Sequence, residues 1–181
     1  KSFDQVSDLK DQKCLIVGKG SAGSKLEAAC KILGMQVLSI KKNLNKNSQK
    51  NNEFKLSKLN NLVKVSDYVV NLLPLTNLTK EIYNKKLFKL MKKTSYFINL
   101  GRGESVVEND LIEALKKNVI AGAALDVFTN EPLLKKSKLW QVRNLFITPH
   151  VGGLHNKYWD HETLLFQKNL NNFINKKSMI N

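Results

Sequence analysis

The sequence predicts an α/β fold, with a doubly wound parallel sheet and helices on both of its faces. Short apolar runs of strand length recur along the chain, and stretches with helical spacing of apolar residues lie between them. Such alternation is typical of β-α-β units, whose strands run parallel. With 181 residues and 42% hydrophobic content, the chain can bury one core, and we expect a single domain.

The first β-α-β unit is the clearest part of this pattern. An apolar strand at 14–17 is followed by a helix at 24–33 and a second strand at Gln36–Ile40, with Gly34 as the helix cap. The face of the helix that we expect to be buried carries Leu26, Ala29, Cys30 and Leu33. The polar lead-in at 1–12 has an apolar side formed by Phe3, Val6 and Leu9.

The rest of the chain also alternates between apolar runs of strand length and stretches with helical spacing of apolar residues. Residues 43–52 are rich in lysine and asparagine and lack an apolar period, so we expect this loop to be the most mobile part. Apolar residues between 54 and 62 predict an edge strand followed by a helical turn. Further strands are expected at 67–73, 96–100, 121–127 and Leu145–Ile147, and helices around 87–91, at 108–118 and over most of 154–177.

The chain is strongly positive, but the type of positive residue limits what this implies. The net charge is +15 and the pI is 9.8, which ordinarily suggests a nucleic acid or an anionic membrane as partner. All 30 positive residues except Arg102 and Arg143 are lysine, and no basic run is interleaved with aromatic residues. We therefore expect solvated lysine-rich surfaces and no membrane partner, with nucleic-acid binding as the least favoured alternative.

Targeting signals and metal-binding patterns are absent from the sequence. It has no apolar run of 18 residues and no cleavable signal pattern, so a cytoplasmic location is expected. Cys14 and Cys30 have neither a CxxC nor a metal-ligand spacing. We predict that both cysteines are reduced core residues and that the protein holds no metal.

Gly18, Gly20 and Gly23 form the motif on which the functional prediction depends. They follow the first apolar strand and open the first helix, which is the context that distinguishes a dinucleotide-binding turn from a chance match. Glycines let the chain turn tightly, bring backbone N–H groups close to a pyrophosphate and pack helix against strand. We predict a Rossmann fold in which this turn, with Ser21 and Ala22, binds a dinucleotide.

Lys41 and Lys42 follow the second strand, where sites that prefer NAD usually have an acidic residue for the ribose hydroxyls. Two lysines offer no acceptor to a hydroxyl, but they attract the 2′-phosphate of NADPH. Our hypothesis is a preference for NADP(H) over NAD(H). The alternative is that both are ordinary surface lysines.

Arg102 is an unusual choice in a chain that otherwise uses lysine for positive charge. It lies between Gly101 and Gly103 at the carboxyl end of a predicted strand, where α/β sheets bind ligands. A guanidinium can bind a carboxylate through two parallel hydrogen bonds, which an ammonium group cannot do. The alternative for Arg102 is a structural ion pair. That reading fits Arg143 better, because it precedes the strand predicted at the opposite edge.

His150 follows the last predicted strand, in the sequence Thr148-Pro149-His150. Imidazole titrates close to neutral pH, so one side chain can both donate and accept a proton. The alternative is a histidine whose hydrogen bonds are satisfied by the backbone. We assign no role to His155 or His161.

Together, the glycine turn, Gly-Arg-Gly, LDVFTNEP and TPHVGG resemble the D-isomer-specific 2-hydroxyacid dehydrogenases, over the chain from near Val6 to Asn181. The resemblance implies that Arg102 anchors the substrate carboxylate, that His150 is the acid/base and that Glu131 orients it. Lys41 replaces the acidic residue of the family, as in glyoxylate and hydroxypyruvate reductases that use NADPH. The further cofactor contacts implied are Leu73, Pro74, Thr79, Leu100, Gly101, Arg102, Asp126, His150, Gly152 and Gly153.

The resemblance also implies an oxidoreductase that acts on a small 2-keto or 2-hydroxy acid and forms a homodimer. Residues 1–181 then form the NAD(P)-binding domain, with a core at about 12–153 and a C-terminal helix at 154–181. That helix leads back towards a substrate domain that the sequence lacks. The alternative is a non-catalytic dinucleotide-binding module without a substrate domain. Candidate dimer contacts are Leu133, Leu134, Leu139 and Trp140.

Overall fold

The computed structural model describes residues 8–49 and 51–180 and contains a seven-stranded sheet. The strands are β1 (Lys13–Val17), β2 (Gln36–Ile40), β3 (Glu53–Phe54), β4 (Tyr68–Asn71), β5 (Tyr96–Asn99), β6 (Gly122–Leu125) and β7 (Leu145–Ile147). All neighbouring strands are parallel, and their order is β3-β2-β1-β4-β5-β6-β7. The strand order reverses between β1 and β4, which is where doubly wound sheets open a crevice for ligands.

Helices cover both faces of the sheet, which confirms the predicted fold class. The helices that do so are α1 (Ser21–Ile32), α2 (Leu59–Val63), α3 (Lys85–Phe88) and α4 (Glu108–Lys116), and a further helix, α5 (Tyr158–Ile174), follows the last strand in the sequence. Successive β1 side chains point to opposite faces. Leu15 and Val17 belong to a large core with residues of α2, α3 and α4, whereas Cys14 and Ile16 pack in a second core with Cys30 of α1. Both cysteines are buried and free, as predicted.

Helix α1 buries only part of the predicted face, through Cys30 and the partly buried Leu26. It begins directly after the glycine turn, three residues earlier than expected. Its buried residues are Gly23, Glu27 and Cys30, and the prediction that Ala29 and Leu33 are buried was wrong. Helical spacing from Gly23 directs Glu27 inward, and a buried carboxylate is tolerated because it has charged partners.

The loop expected at 43–52 forms hydrogen-bonded turns over its described residues. Ser48 is buried, with its hydroxyl accepting from the Asn45 N–H at 2.8 Å and donating to Glu53 Oε2 at 2.8 Å. This polar loop therefore contains a buried residue, Ser48, that supports β3. The predicted mobility stays a prediction.

The chain divides at Pro149 and His150 into two compact units. The first contains the whole sheet, and the second contains α5, none of whose residues is buried. The prediction for Phe3 and Val6 lies outside the described residues. No helix in the described part of the chain is long and apolar enough to cross a membrane.

Candidate functional site

A cleft of about 1170 Å³ lies at the carboxyl ends of β1, β2, β4 and β5, within the first unit. This is the sheet edge where open parallel sheets bind ligands. The predicted site residues that line it are Gly18, Gly20, Ser21, Ala22, Gly23, Lys41, Lys42, Leu73, Pro74, Thr79, Leu100, Gly101 and Arg102. The structure thus brings these residues together around one cleft.

The glycine turn has the geometry of a pyrophosphate cradle. Gly18 has a φ of +107°, and a Cβ there would lie 2.8 Å from the Leu72 carbonyl carbon. A Cβ at Gly23 would lie 2.8 Å from the Gly18 oxygen, whereas one at Gly20 would meet nothing within 4 Å. Gly18 and Gly23 are thus required by packing. Gly20 instead leaves its backbone open at the start of α1, which has no side-chain cap, so a pyrophosphate fits here.

Four buried polar side chains, which we call the amide network, support the other end of the cleft: Asn71, Tyr83, Asn99 and Ser105. Asn71 Nδ2 donates to Asn99 Oδ1 at 2.8 Å and to Ser105 Oγ at 2.9 Å. Asn71 Oδ1 accepts from the Leu73 N–H at 3.2 Å and from the Tyr83 hydroxyl at 3.3 Å. These bonds tie the loop after β4 to the loop after β5.

Arg102 is positioned through its backbone. Its carbonyl accepts from Ser105 Oγ at 2.6 Å and from Asn99 Nδ2 at 3.2 Å. Its Nη1 donates to the Gly101 carbonyl at 2.7 Å, and within residues 8–49 and 51–180 it has no carboxylate partner. The ion-pair alternative is therefore not observed there, and an exposed guanidinium lines the cleft.

The lysine side of the cleft is supported by a charged network, which we define as Lys19, Glu27, Lys31, Lys41, Ser48 and Glu53. Lys19 Nζ lies 2.5 Å from Glu27 Oε2 and 2.7 Å from Glu53 Oε1. Lys31 pairs with Glu27 at 2.7 Å, and Lys41 pairs with Glu53 at 3.3 Å. The network therefore links the glycine turn and α1 to the end of β2 and the first residue of β3.

These contacts shift the pKa values of the carboxyl groups. Hydrogen bonds from Lys19, and then from Ser48 and Lys41, lower the pKa of Glu53 from 4.5 to about 2 despite its burial. Burial alone raises the pKa of Glu27, but hydrogen bonds from Lys19 and Lys31 outweigh it, and the net shift is downward. Both groups are therefore charged at neutral pH.

The other predicted site residues lie at the ends of β6 and β7. Asp126 is buried after β6 and accepts from Thr148 Oγ1, while Glu131 Oε1 accepts from the Phe128 N–H at 2.9 Å. His150 is exposed and has a left-handed backbone with a φ of +55°, which is uncommon outside glycine. His150 is the first residue of the second unit, which also contains Gly152 and Gly153, so the convergence of Arg102, Glu131 and His150 stays a prediction.

Apart from Lys41, the two networks that support the cleft were not predicted from the sequence, and neither was one further lysine that lines it. The amide network was missed because strand asparagines give no distinctive pattern. The charged network was missed because Glu53 lies in a two-residue strand. Lys55 also lines the cleft, and its position follows from the pairing of β2 with β3, which could have revealed it.

A parallel sheet with a glycine turn at the start of α1 defines the class of dinucleotide-binding α/β domains. Residues 1–152 match the sequence model of a protein family described as D-isomer specific 2-hydroxyacid dehydrogenase, NAD binding domain. The chain belongs to this family, as the resemblance of its motifs predicted.

Known relatives agree with this assignment. The glyoxylate reductase of Pyrococcus horikoshii is 36% identical over 138 residues, which cover 76% of this chain and 41% of the relative. An NADPH-dependent glyoxylate/hydroxypyruvate reductase from Sinorhizobium meliloti, solved with NADP and sulfate, has a TM-score of 0.86 at 28% identity. The match covers 99% of this chain and 57% of that one.

A probable 2-hydroxyacid dehydrogenase from Rhizobium etli, in complex with NADP, HEPES and L(+)-tartaric acid, has a TM-score of 0.84 at 28% identity. The match covers 96% of this chain and 55% of that one. The chain therefore spans about half the length of the relatives it matches.

Proposed function

We propose that the chain is the cofactor-binding part of an NAD(P)-dependent oxidoreductase that interconverts 2-keto and 2-hydroxy acids. The observation that carries this proposal is a single cleft with a pyrophosphate cradle near one side and the exposed guanidinium of Arg102 on the other. The Pyrococcus relative is a glyoxylate reductase and the Sinorhizobium relative is a glyoxylate/hydroxypyruvate reductase, and both of these substrates are small 2-keto acids of the proposed class.

The residues of the first unit have the chemistry to hold the cofactor. The accessible backbone at Gly20 and the start of α1 bind the pyrophosphate. Leu73 and Pro74 form part of the cleft wall between the glycine turn and Arg102. Thr79 shapes that wall, because its hydroxyl donates to the Pro74 carbonyl at 2.7 Å and accepts from the Thr76 N–H at 2.8 Å. The bound nicotinamide supplies or accepts the hydride.

Arg102, Glu131 and His150 have the properties that the reaction requires of the protein. The guanidinium of Arg102 holds the substrate carboxylate through two N–H bonds. His150 donates a proton to the oxygen of the reduced carbonyl, and it removes that proton in the reverse direction. In this proposal the carboxylate of Glu131 lies next to the imidazole and orients the ring.

The proposal includes a preference for NADP(H) over NAD(H). It is supported by lysines at the end of β2 and by the NADP found in the Rhizobium and Sinorhizobium structures. Titration with NADPH and NADH is the direct test, and tighter binding of NADH would refute the preference.

The proposal also includes a homodimer formed through this domain and a cytoplasmic location. Among the candidate dimer contacts, Leu134 and Trp140 are about half exposed, whereas Leu139 is buried in the core and cannot serve. Sedimentation analysis of the protein with and without Trp140→Ala would test the dimer.

The main test of the function is an activity assay on the protein in its complete natural form. We expect glyoxylate or hydroxypyruvate to be reduced with NADPH, and we expect His150→Ala to slow this reaction by about two to four orders of magnitude while cofactor affinity is retained. His155→Ala is the matched control, because this exposed histidine has no assigned role.

The second candidate is a non-catalytic dinucleotide-binding module, which the glycine turn and the cleft support equally. This candidate predicts cofactor binding without turnover in the same assay. An unchanged rate in His150→Ala would remove this histidine from the mechanism.

A further inference from the structure

Three lysines line the side of the cleft formed by β2 and β3. Lys41 and Lys42 follow β2, and Lys55 follows β3. The two strands are parallel, with Ile40 opposite Phe54, and the Lys41 N–H donates to the Phe54 carbonyl at 3.0 Å. The ends of the strands therefore place Lys55 beside Lys41 and Lys42, although it is more than ten positions away in the sequence.

Lys41 differs from the other two lysines because the charged network holds it. Its Nζ lies 3.3 Å from Glu53 Oε2, and only 26% of its side chain is exposed. Glu53 is itself buried, and Lys19 and Ser48 are its other partners. Moving Lys41 towards a ligand would remove a counter-charge from a buried carboxylate, which is unfavourable.

Lys42 and Lys55 are exposed and line the same cleft. Within the described ranges 8–49 and 51–180, neither forms an ion pair with a carboxylate. Their charges at this edge of the cleft are therefore not compensated by a contact, and an anion can approach both without displacing a protein carboxylate.

We propose that Lys42 and Lys55 bind the 2′-phosphate of NADPH and that Lys41 is a structural residue held by Glu53. This inference rests on the proposed preference for NADPH, and it revises the sequence-based hypothesis, which gave Lys41 and Lys42 the same role. A phosphate monoester carries about −1.5 to −2 charges near pH 7, which two ammonium groups balance.

The experiment measures the dissociation constants of NADPH and NADH for the 181-residue chain and for four variants. We expect Lys42→Ala and Lys55→Ala each to weaken NADPH binding by about five- to twentyfold, with NADH affinity changed by less than about twofold. Lys41→Ala should leave the ratio of the two constants within about twofold of the original. Lys58→Ala is the control, since this exposed lysine lies in the same turn but does not line the cleft.

The ratio of the two constants makes the test independent of partial unfolding, because both cofactors bind the same folded fraction. A preference for NADPH that only Lys41→Ala abolishes would overturn the inference and leave the proposed cofactor preference intact. Equal loss of NADPH and NADH affinity in Lys55→Ala would also overturn it. Absence of any NADPH preference in the unmodified chain would refute the proposed preference itself, and the inference with it.

Discussion

The two ends of the cleft are supported by buried polar networks of opposite character. The amide network at the ends of β4 and β5 consists of uncharged groups, and Asn71, Tyr83 and Asn99 in it are fully buried. The charged network at the ends of β1, β2 and β3 consists mainly of lysines and glutamates, and Lys19 and Lys41 remain partly exposed. The uncharged network thus lies where solvent is excluded, and the charged network lies where solvent still reaches some of its side chains.

The networks also hold different parts of the chain. Uncharged side chains bond to backbone groups at Leu73, Gly101 and Arg102, so they fix the loops and leave the Arg102 guanidinium exposed at the cleft. The glutamates bond instead to side-chain ammonium groups, which reduces the repulsion between neighbouring lysines. We infer that the amide network determines backbone geometry and that the charged network determines where positive charge is available.

The largest expected effect is that of Asn71→Ala, which removes the centre of the amide network. The change removes the acceptor of the buried Tyr83 hydroxyl and of the Leu73 N–H, and it takes one hydrogen-bond partner from each of Asn99 and Ser105, which keep their bonds to the Arg102 carbonyl. We expect a loss of about 2–4 kcal/mol in the free energy of unfolding, measured by urea denaturation at pH 7.

The matched control is Asn60→Ala, at an exposed position of α2. A loss in Asn71→Ala no larger than in this control would show that the amide network does not support the fold.

Glu53→Gln is expected to have the next largest effect, because it removes the charge that binds Lys19 and Lys41 while preserving side-chain shape. We expect a loss of about 1–3 kcal/mol at pH 7. The pKa of Glu53 is lowered from 4.5 to about 2 in the folded protein. Its stabilising contribution is therefore complete above about pH 4.5 and disappears as the pH falls towards 2.

Denaturation measured between pH 7 and pH 2 tests this dependence. The difference between the original chain and Glu53→Gln should shrink across that acidic range. Glu113→Gln is the control, since the pKa of Glu113 is also about 2 but its carboxylate is exposed and pairs with surface lysines. A difference that stays constant down to pH 2 would contradict the assigned ion pairs.

The sequence was sufficient to predict the parts of the fold that depend on local patterns. β2 and β7 have the predicted bounds, because apolar runs between glycine, proline and polar residues define the ends of a strand clearly. The glycine turn was also predictable, since packing requires glycine at Gly18 and Gly23, and Gly20 leaves the start of α1 accessible.

Features that depend on tertiary pairing could not be predicted. Glu27 was not expected to be buried, because a glutamate is normally exposed unless it has charged partners. Its partners are Lys19 of the glycine turn and Lys31 of the same helix, and the sequence does not show that they reach it. Ser48 appeared to be part of a structureless polar loop, whereas its hydroxyl reaches a carboxylate five residues away. Buried polar groups follow from three-dimensional partners, which composition and periodicity do not reveal.

Ser48→Ala has the smallest expected effect and tests how the charged network distributes its contacts. The change removes the hydrogen bond to Glu53 Oε2 and the acceptor for the Asn45 N–H, but both lysine partners of Glu53 remain. We therefore expect a loss of about 0.5–1.5 kcal/mol in the free energy of unfolding, less than for Glu53→Gln. Exposed Asn51, in the same turn, provides the control variant Asn51→Ala. A loss in Ser48→Ala as large as that of Glu53→Gln would mean that the hydroxyl, and not the lysines, keeps this carboxylate charged inside the protein.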